Sequence, residues 1–272
     1  MAITVQQIYR FPVKGLNGER LDRVTLKPGA GLADDRRFAI VYGLGTGARR
    51  GFFQLTQEER LAQLRIAYDP AGPSLTISRQ GRQVVTANPS DQTGRMLLNQ
   101  FFAGFLAGSP RGTPAFREMA DGEQAEALPN QVSIINLASV KDFERVAREP
   151  VDPRRFRGNI LIDGLRPWAE LDWLDREISI GSTRLKVFDR TGRCAATNVN
   201  PDNAERDMNI PLTLRKGFGH NDMGVYAEVL DGGEVKPAVI AAGSVLPIDT
   251  VDSHDREMHR PVSIRSGTLR IP

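Results

Sequence analysis

The chain has 272 residues, 40% hydrophobic and 25% charged, enough for a real core in one large or two modest domains of roughly 100–150 residues each. Twenty-six glycines and seventeen prolines mark many turns, and the balance of apolar and charged residues excludes a disordered, collagenous or coiled-coil chain. A net charge of +3 carries no nucleic-acid signature, and a single cysteine, Cys194, rules out an intramolecular disulfide, cysteine-ligated iron–sulfur clusters and four-cysteine zinc sites.

The start, MAITVQQIYRFPVKG, has no basic leader followed by an apolar stretch, and no run approaches about 18 apolar residues, so a soluble, cytoplasmic protein without a membrane partner is expected. From residue 3 to about 85, short apolar runs alternate with turn residues: ITVQQIYRF, RVTLKPG, RRFAIVYG, FFQL, LRIAYD and SLTISRQGRQVVT. About six or seven short strands in that space predict an antiparallel β module, a barrel or meander. The loop GLGTGARRG (43–51) lacks the GK[ST] ending of a phosphate loop and reads as a hairpin connection. In DQTGRMLLNQFFAGFLA (91–107), Met96, Leu97, Phe101 and Phe105 recur at helical spacing, predicting a helix capped near Asp91 and stopped by Gly108, Ser109 and Pro110.

The polar stretch 108–130 is the expected domain boundary, dividing the chain into 1–115, 116–250 and a tail, 251–272. VSIINLASV (132–140) reads as a strand entering a second helix, LASVKDFERVARE, with Ser139 as candidate N-cap. Beyond Pro153, NILIDG, REISIGSTRLKVFDR, GVYAEVL and SVLPI are further strands punctuated by Gly181, Gly232, Gly233 and Gly243. The fold class is therefore mainly β with a few helices (α+β), an N-terminal β-barrel module followed by a second β domain.

Cys194 lies in TGRCAATNVNPDN, just after a strand and beside Arg193, whose charge suits a thiolate, the form that attacks electrophiles and binds soft metals; a structural cysteine is the rival reading. Four basic segments accompany it: Lys14 in RFPVKG, Arg36 and Arg37 in DDRRF, Arg154, Arg155 and Arg157 in PRRFRGN, and Arg193 itself. Only six of the 36 cationic residues are lysines, and three arginines at the mouth of the apolar strand ILI make an anion site the economical reading. His220 is the one histidine near these segments, and a Cys194/His220 hydrolase pair is a weak alternative because no oxyanion-type elbow precedes Cys194. Asp34 with Asp35 and Glu58 with Glu59 make no metal pattern.

Taken in order, FPVKG, DDRRF, VSIINLASV, RFRGNILIDG, WAEL…ISIG, TGRCAATNVNPD and GVYAEV, spread over residues 3–248, resemble the MOSC family in its form with an N-terminal MOSC β-barrel domain. That group includes the mitochondrial amidoxime-reducing components and a bacterial relative fused to a ferredoxin domain. The resemblance implies a MOSC-type β-barrel domain and a molybdenum cofactor, Mo-molybdopterin, with Cys194 as the catalytic, metal-ligating residue. It implies that Lys14, Arg37 and Arg157 hold the anionic pterin-phosphate end, that Gly192 and Arg193 line the metal end, and that Asn130, Asn159 and Tyr226 add polar contacts. Three departures stand out: Asn198 and Asn200 replace a hydroxyl and a carboxylate of the TTVDPDTG-like motif, Gly15 stands where a serine is common, and no ferredoxin module follows.

The activity implied is a molybdenum-dependent oxidoreductase that reduces N-hydroxylated or other N-oxygenated small molecules, with electrons from a separate donor protein. Two rivals use the same residues differently: a sulfur-carrier or cofactor-handling protein with Cys194 as persulfide, and a non-enzymatic module that binds an anionic partner.

Overall fold

The computed structural model describes residues 3–43, 51–119 and 131–240. The chain opens with β1 (Ile3–Arg10), β2 (Glu19–Leu21), β3 (Val24–Leu26) and β4 (Phe38–Tyr42). It continues with β5 (Gly51–Phe52), β6 (Leu64–Asp69), β7 (Ser74–Arg79) and β8 (Arg82–Ala87). Then come α1 (Gln92–Phe105), β9 (Ala115–Glu118), β10 (Gln131–Asn136), α2 (Leu137–Ala147) and β11 (Ile160–Asp163). The last elements are β12 (Glu177–Ile180), β13 (Thr183–Gly192), α3 (Ile210–Phe218), β14 (Asp222–Asp231), β15 (Gly233–Val235) and β16 (Ala238–Ile240). Mainly β with a few helices is what the hydrophobic periods predict.

The largest sheet runs β12-β13-β14-β10-β11-β1-β16, with β2 added on β1. The first strand is therefore built into the sheet of the second half: Ile8 pairs with Ile160, and Val24 of β3 pairs with Val235 of β15. A register shift between Val5 and Gln7 keeps Val5 and Ile8, three residues apart, both buried in the core. The remaining strands form two three-stranded sheets, β5-β4-β9 and β6-β7-β8. Strand β9 lies inside the polar stretch 108–130 and pairs Phe116 with Ile40.

Three clusters fill the interior. One lines the large sheet around Ile134, Ile160 and Val225; one joins the smaller sheets to α1 around Phe38, Phe102 and Phe116; one seats α2 and α3 around Phe143, Phe156 and Leu214. Val199 and Ala204, from the segment after Cys194, pack into the second cluster, tying that segment to the N-terminal sheets.

Helix α1 begins as its sequence requires, with the Asp91 carboxylate accepting from Gly94 N at 2.6 Å. Helix α2 differs from expectation: its cap is Asn136, which accepts from Ala138 N at 3.1 Å, and Ser139 is buried with its hydroxyl donating to Glu170 at 2.7 Å. Helix α3 has no counterpart among the predicted elements. Asn209 caps it, a proline stands in its first turn and Gly219 ends it in the left-handed region, signals that frame a helix of only nine residues. The loop 44–50, the strand SVLPI and the tail from 251 lie outside the described residues.

Candidate functional site: a cationic cavity at Cys194

Where β13 ends, a cavity of about 420 Å³ opens between the large sheet and the N-terminal segment. Gly192, Arg193 and Cys194 form its edge, and Cys194 starts a turn of 3-10 helix, Ala195–Asn198. The Cys194 carbonyl accepts from Thr197 twice, from N at 3.1 Å and from Oγ1 at 2.8 Å, so the main chain is held while the residue remains exposed.

Two arginines define the electrostatics. Arg157 follows the 3-10 turn Pro153–Phe156 with φ +52°, a left-handed backbone that points it back across the chain. Its guanidinium lies 4.4 Å from the Phe11 ring centre and donates to the Leu16 carbonyl. Arg193 donates Nε to the Met223 carbonyl at 2.9 Å and Nη1 to the Phe156 carbonyl at 2.7 Å. Among the described residues neither guanidinium pairs with a carboxylate. Burial pulls Arg157 down to about 9, with the neighbouring charge of Arg36 adding to the effect. Burial likewise pulls Arg193 down to about 10, opposed by Tyr226 and Cys194. Both cations are costly where they stand, and an anion in the cavity relieves that cost.

The structure brings Lys14, Arg157, Gly192, Arg193, Cys194 and Tyr226 to one cavity, as the motif reading grouped them. Lys14 Nζ sits 4.1 Å from the Phe52 ring centre. Arg37 goes elsewhere: it donates to Glu118 at 2.7 Å, Asp34 at 2.9 Å and Tyr68 Oη at 3.2 Å, and its neighbour Arg36 lines the cavity instead. Adjacent residues point apart, and Arg36 takes a left-handed backbone, φ +54°. Asn159 is buried behind the wall, accepting from Ser133 N at 3.0 Å and Oγ at 2.8 Å, and Ser133 is the residue that reaches the cavity. Asn130 lies outside the described residues.

The departures from the family motif have local structural explanations. Asn198 Oδ1 accepts from Ile210 N at 3.0 Å at the start of α3, and Asn200 Nδ2 donates to Asp207 at 2.7 Å; neither lines the cavity. Gly15 has φ +85°, and a Cβ there would stand 2.9 Å from the Phe53 carbonyl oxygen, so a serine would strain this backbone. His220 packs against Trp168 and Phe218 and accepts from Asp222 N at 3.1 Å, away from the cavity.

The cavity also holds residues to which the sequence reading gave no individual role, among them Arg155, Asp189 and Arg190. Arg155, named there only within its basic segment, has a side chain just 4% exposed; it donates to both carboxylate oxygens of Asp207 at 2.7 and 2.8 Å and to the Asn198 carbonyl at 3.1 Å, bracing the turn that Cys194 begins. Asp189 and Arg190 reach the cavity through a strand irregularity that periodicity does not reveal. Among the described residues no group of three or more His, Cys, Asp or Glu could hold a metal ion. A metal at Cys194 would have to bring most of its own ligands.

Residues 121–245 match the MOSC domain, and residues 2–108 match the MOSC N-terminal beta barrel domain. The chain belongs to the MOSC-domain proteins. Mitochondrial amidoxime-reducing component 1 of Xenopus laevis is 31% identical over 115 residues, which is 42% of this chain and 33% of that protein. Molybdenum cofactor sulfurase of Caenorhabditis elegans is 26% identical over 230 residues, 78% of this chain and 31% of that protein. The matched segments thus span about a third of these relatives' lengths. Among solved structures, the YuaD protein from Bacillus subtilis aligns over 87% of this MOSC protein and 92% of its own chain, with 12% identity and a TM-score of 0.42. No helix among the described residues is long and apolar enough to cross a membrane.

Proposed function

We propose that this protein is a molybdenum-cofactor oxidoreductase that removes oxygen from N-hydroxylated compounds such as hydroxylated amines, amidines or nucleobases. One observation carries the reading: the single cysteine is exposed on the edge of a cavity where two partly buried arginines lack any carboxylate partner among the described residues. A cofactor that joins a phosphate to a sulfur-bound metal matches that donor set. Its phosphate would take charge-assisted bonds from Lys14, Arg36 and Arg157. Its heterocycle would meet Ser133 and Tyr226, and the Cys194 thiolate would be a soft protein ligand. The cavity volume lies within the usual range for small-molecule sites, about 300–1,000 Å³.

When bound, the cofactor supplies two-electron removal of an oxygen atom. The balance is R–NHOH + 2 e⁻ + 2 H⁺ → R–NH₂ + H₂O, with electrons from a separate protein donor. The chain's own work is to hold and orient. The guanidinium groups neutralise the anionic end, and the closed turn after Cys194 fixes where sulfur is presented.

The test is molybdenum content by elemental mass spectrometry for the protein and Cys194→Ser, both made in a host that synthesises the cofactor. Near-stoichiometric metal, lost or loosened in the variant, supports the reading, as does reduction of N-hydroxylated substrates with a chemical reductant. Well-folded protein with neither molybdenum nor pterin refutes it. Because Cys194 is exposed and several relatives are named molybdenum cofactor sulfurase, a stable Cys194 persulfide without tightly held metal would favour sulfur carriage instead.

A further inference from the structure

The charged side chains that line the cavity are cationic except at a single point. Among the described residues that line it, Asp189 is the one carboxylate, beside six cationic side chains. Strand β13 alternates buried and exposed residues from Thr183 to Val187 and then breaks. Its register against β14 slips between Val187 and Asp189, and again between Arg190 and Gly192. Phe188 is the extra residue of the slip between Val187 and Asp189, so that Asp189 and Arg190 are both exposed and both reach the cavity.

The two side chains then part. Arg190 Nη2 donates to the Leu171 carbonyl at 3.1 Å, whereas Asp189 Oδ1 accepts from Arg190 N at 2.8 Å. That backbone bond orients the Asp189 carboxylate. No ion pair among the described residues uses Asp189, so its remaining acceptor capacity is open to a ligand. Asp189 pairs across the sheet with Tyr226, which also lines the cavity.

We propose that Asp189 is a specificity-determining residue of this site, accepting hydrogen bonds from the N–H and O–H groups of amidine-type N-hydroxylated substrates. A carboxylate only accepts, and an amidine-type group presents neighbouring N–H donors that a carboxylate can receive together. Nitrate and aromatic N-oxides offer only acceptors at their reacting end, and the same carboxylate disfavours them. The cavity thus divides its labour: cations for an anionic cofactor, one anion for a donor-bearing substrate. The inference rests on the oxidoreductase reading.

The experiment compares molybdenum-loaded wild type with Asp189→Asn, an isosteric change at an exposed position, after equal melting temperatures establish equal folding. With a chemical reductant, benzamidoxime is expected to show KM raised about tenfold or more and kcat changed less than about twofold, while KM for pyridine N-oxide falls because the repelling carboxylate is gone. In parallel, binding of benzamidine to both proteins is followed by calorimetry, and the variant is expected to bind it about tenfold more weakly. Unchanged KM for benzamidoxime, equal losses for both substrates, or equal benzamidine affinity would overturn the role of Asp189. If wild type reduces neither substrate, the oxidoreductase reading fails by itself, and the benzamidine titration still decides whether Asp189 receives a donor-bearing ligand.

Discussion

Replacing Asp207 by asparagine tests how the Cys194 turn is held. Arg155 is almost wholly enclosed, 4% exposed, while Asp207 keeps 33% of its side chain in contact with solvent. Removing one partner of a fully buried pair costs about 3–5 kcal/mol; water reaches Asp207, so about 2–3 kcal/mol is expected here. For a chain of this size that corresponds to a fall in melting temperature of about 4–12 °C. The sign with pH follows from the groups around the carboxylate. Burial alone would raise its pKa, but the hydrogen bonds from Asn200 and Arg155 and the Arg155 charge outweigh that and hold it below the ordinary value. A depressed folded pKa contributes stability above the unfolded value, about 3.9, and that contribution is lost as pH falls through the folded one. The gap between wild type and Asp207→Asn should therefore be full at pH 7 and shrink below about pH 4. Urea unfolding at several pH values measures it, and the rate of Cys194 alkylation by iodoacetamide reports whether the turn has loosened. Equal unfolding midpoints at pH 7, with equal alkylation rates, would refute the bracing role of the pair.

Glu170 should behave oppositely: it is fully buried with Asn136 and Ser139 as donors, and burial pushes its carboxyl up. A raised folded pKa makes the acid form the favoured one, so wild type should lose stability from about pH 4 upward through the folded value, and Glu170→Gln should lose less over that span in chemical unfolding. Gly94→Ala would place a Cβ 1.8 Å from the Asn88 carbonyl oxygen, a contact only a backbone shift relieves, and should cost about 3 kcal/mol or more in urea unfolding. Arg157→Met removes a cation that has no carboxylate partner among the described residues, so the cofactor-free variant should melt within about 3 °C of wild type or higher. Added inorganic pyrophosphate should raise the melting temperature of wild type and leave that variant unchanged; equal shifts would show that Arg157 does not serve the anion site.

Much of this protein is legible in its residues taken in order. The spacing in α1 and the carboxylate of Asp91 specify that helix and its start, because both act within a few residues along the chain. Period-two runs such as LRIAYD and SLTISR mark β6 and β7 for the same reason. The segments holding Lys14, Arg157, Arg193 and Cys194 could be named together before any geometry was known. What the order of residues does not carry is long-range pairing and direction. That β1 and β3 join β11 and β15 is decided by which buried faces meet across more than 100 positions. Left-handed backbone at Arg36 and Arg157 accompanies the split in which Arg36 and not Arg37 faces the cavity, and a slipped register turns Asp189 and Arg190 to it together. The same packing turns Asn198 and Asn200 toward α3 and Asp207, so residues that looked like changes at the metal are fastenings of the turn behind it. Periodicity reports which face of an element is apolar; only the assembled sheets determine which neighbour that face meets and where the polar side chains beside it point.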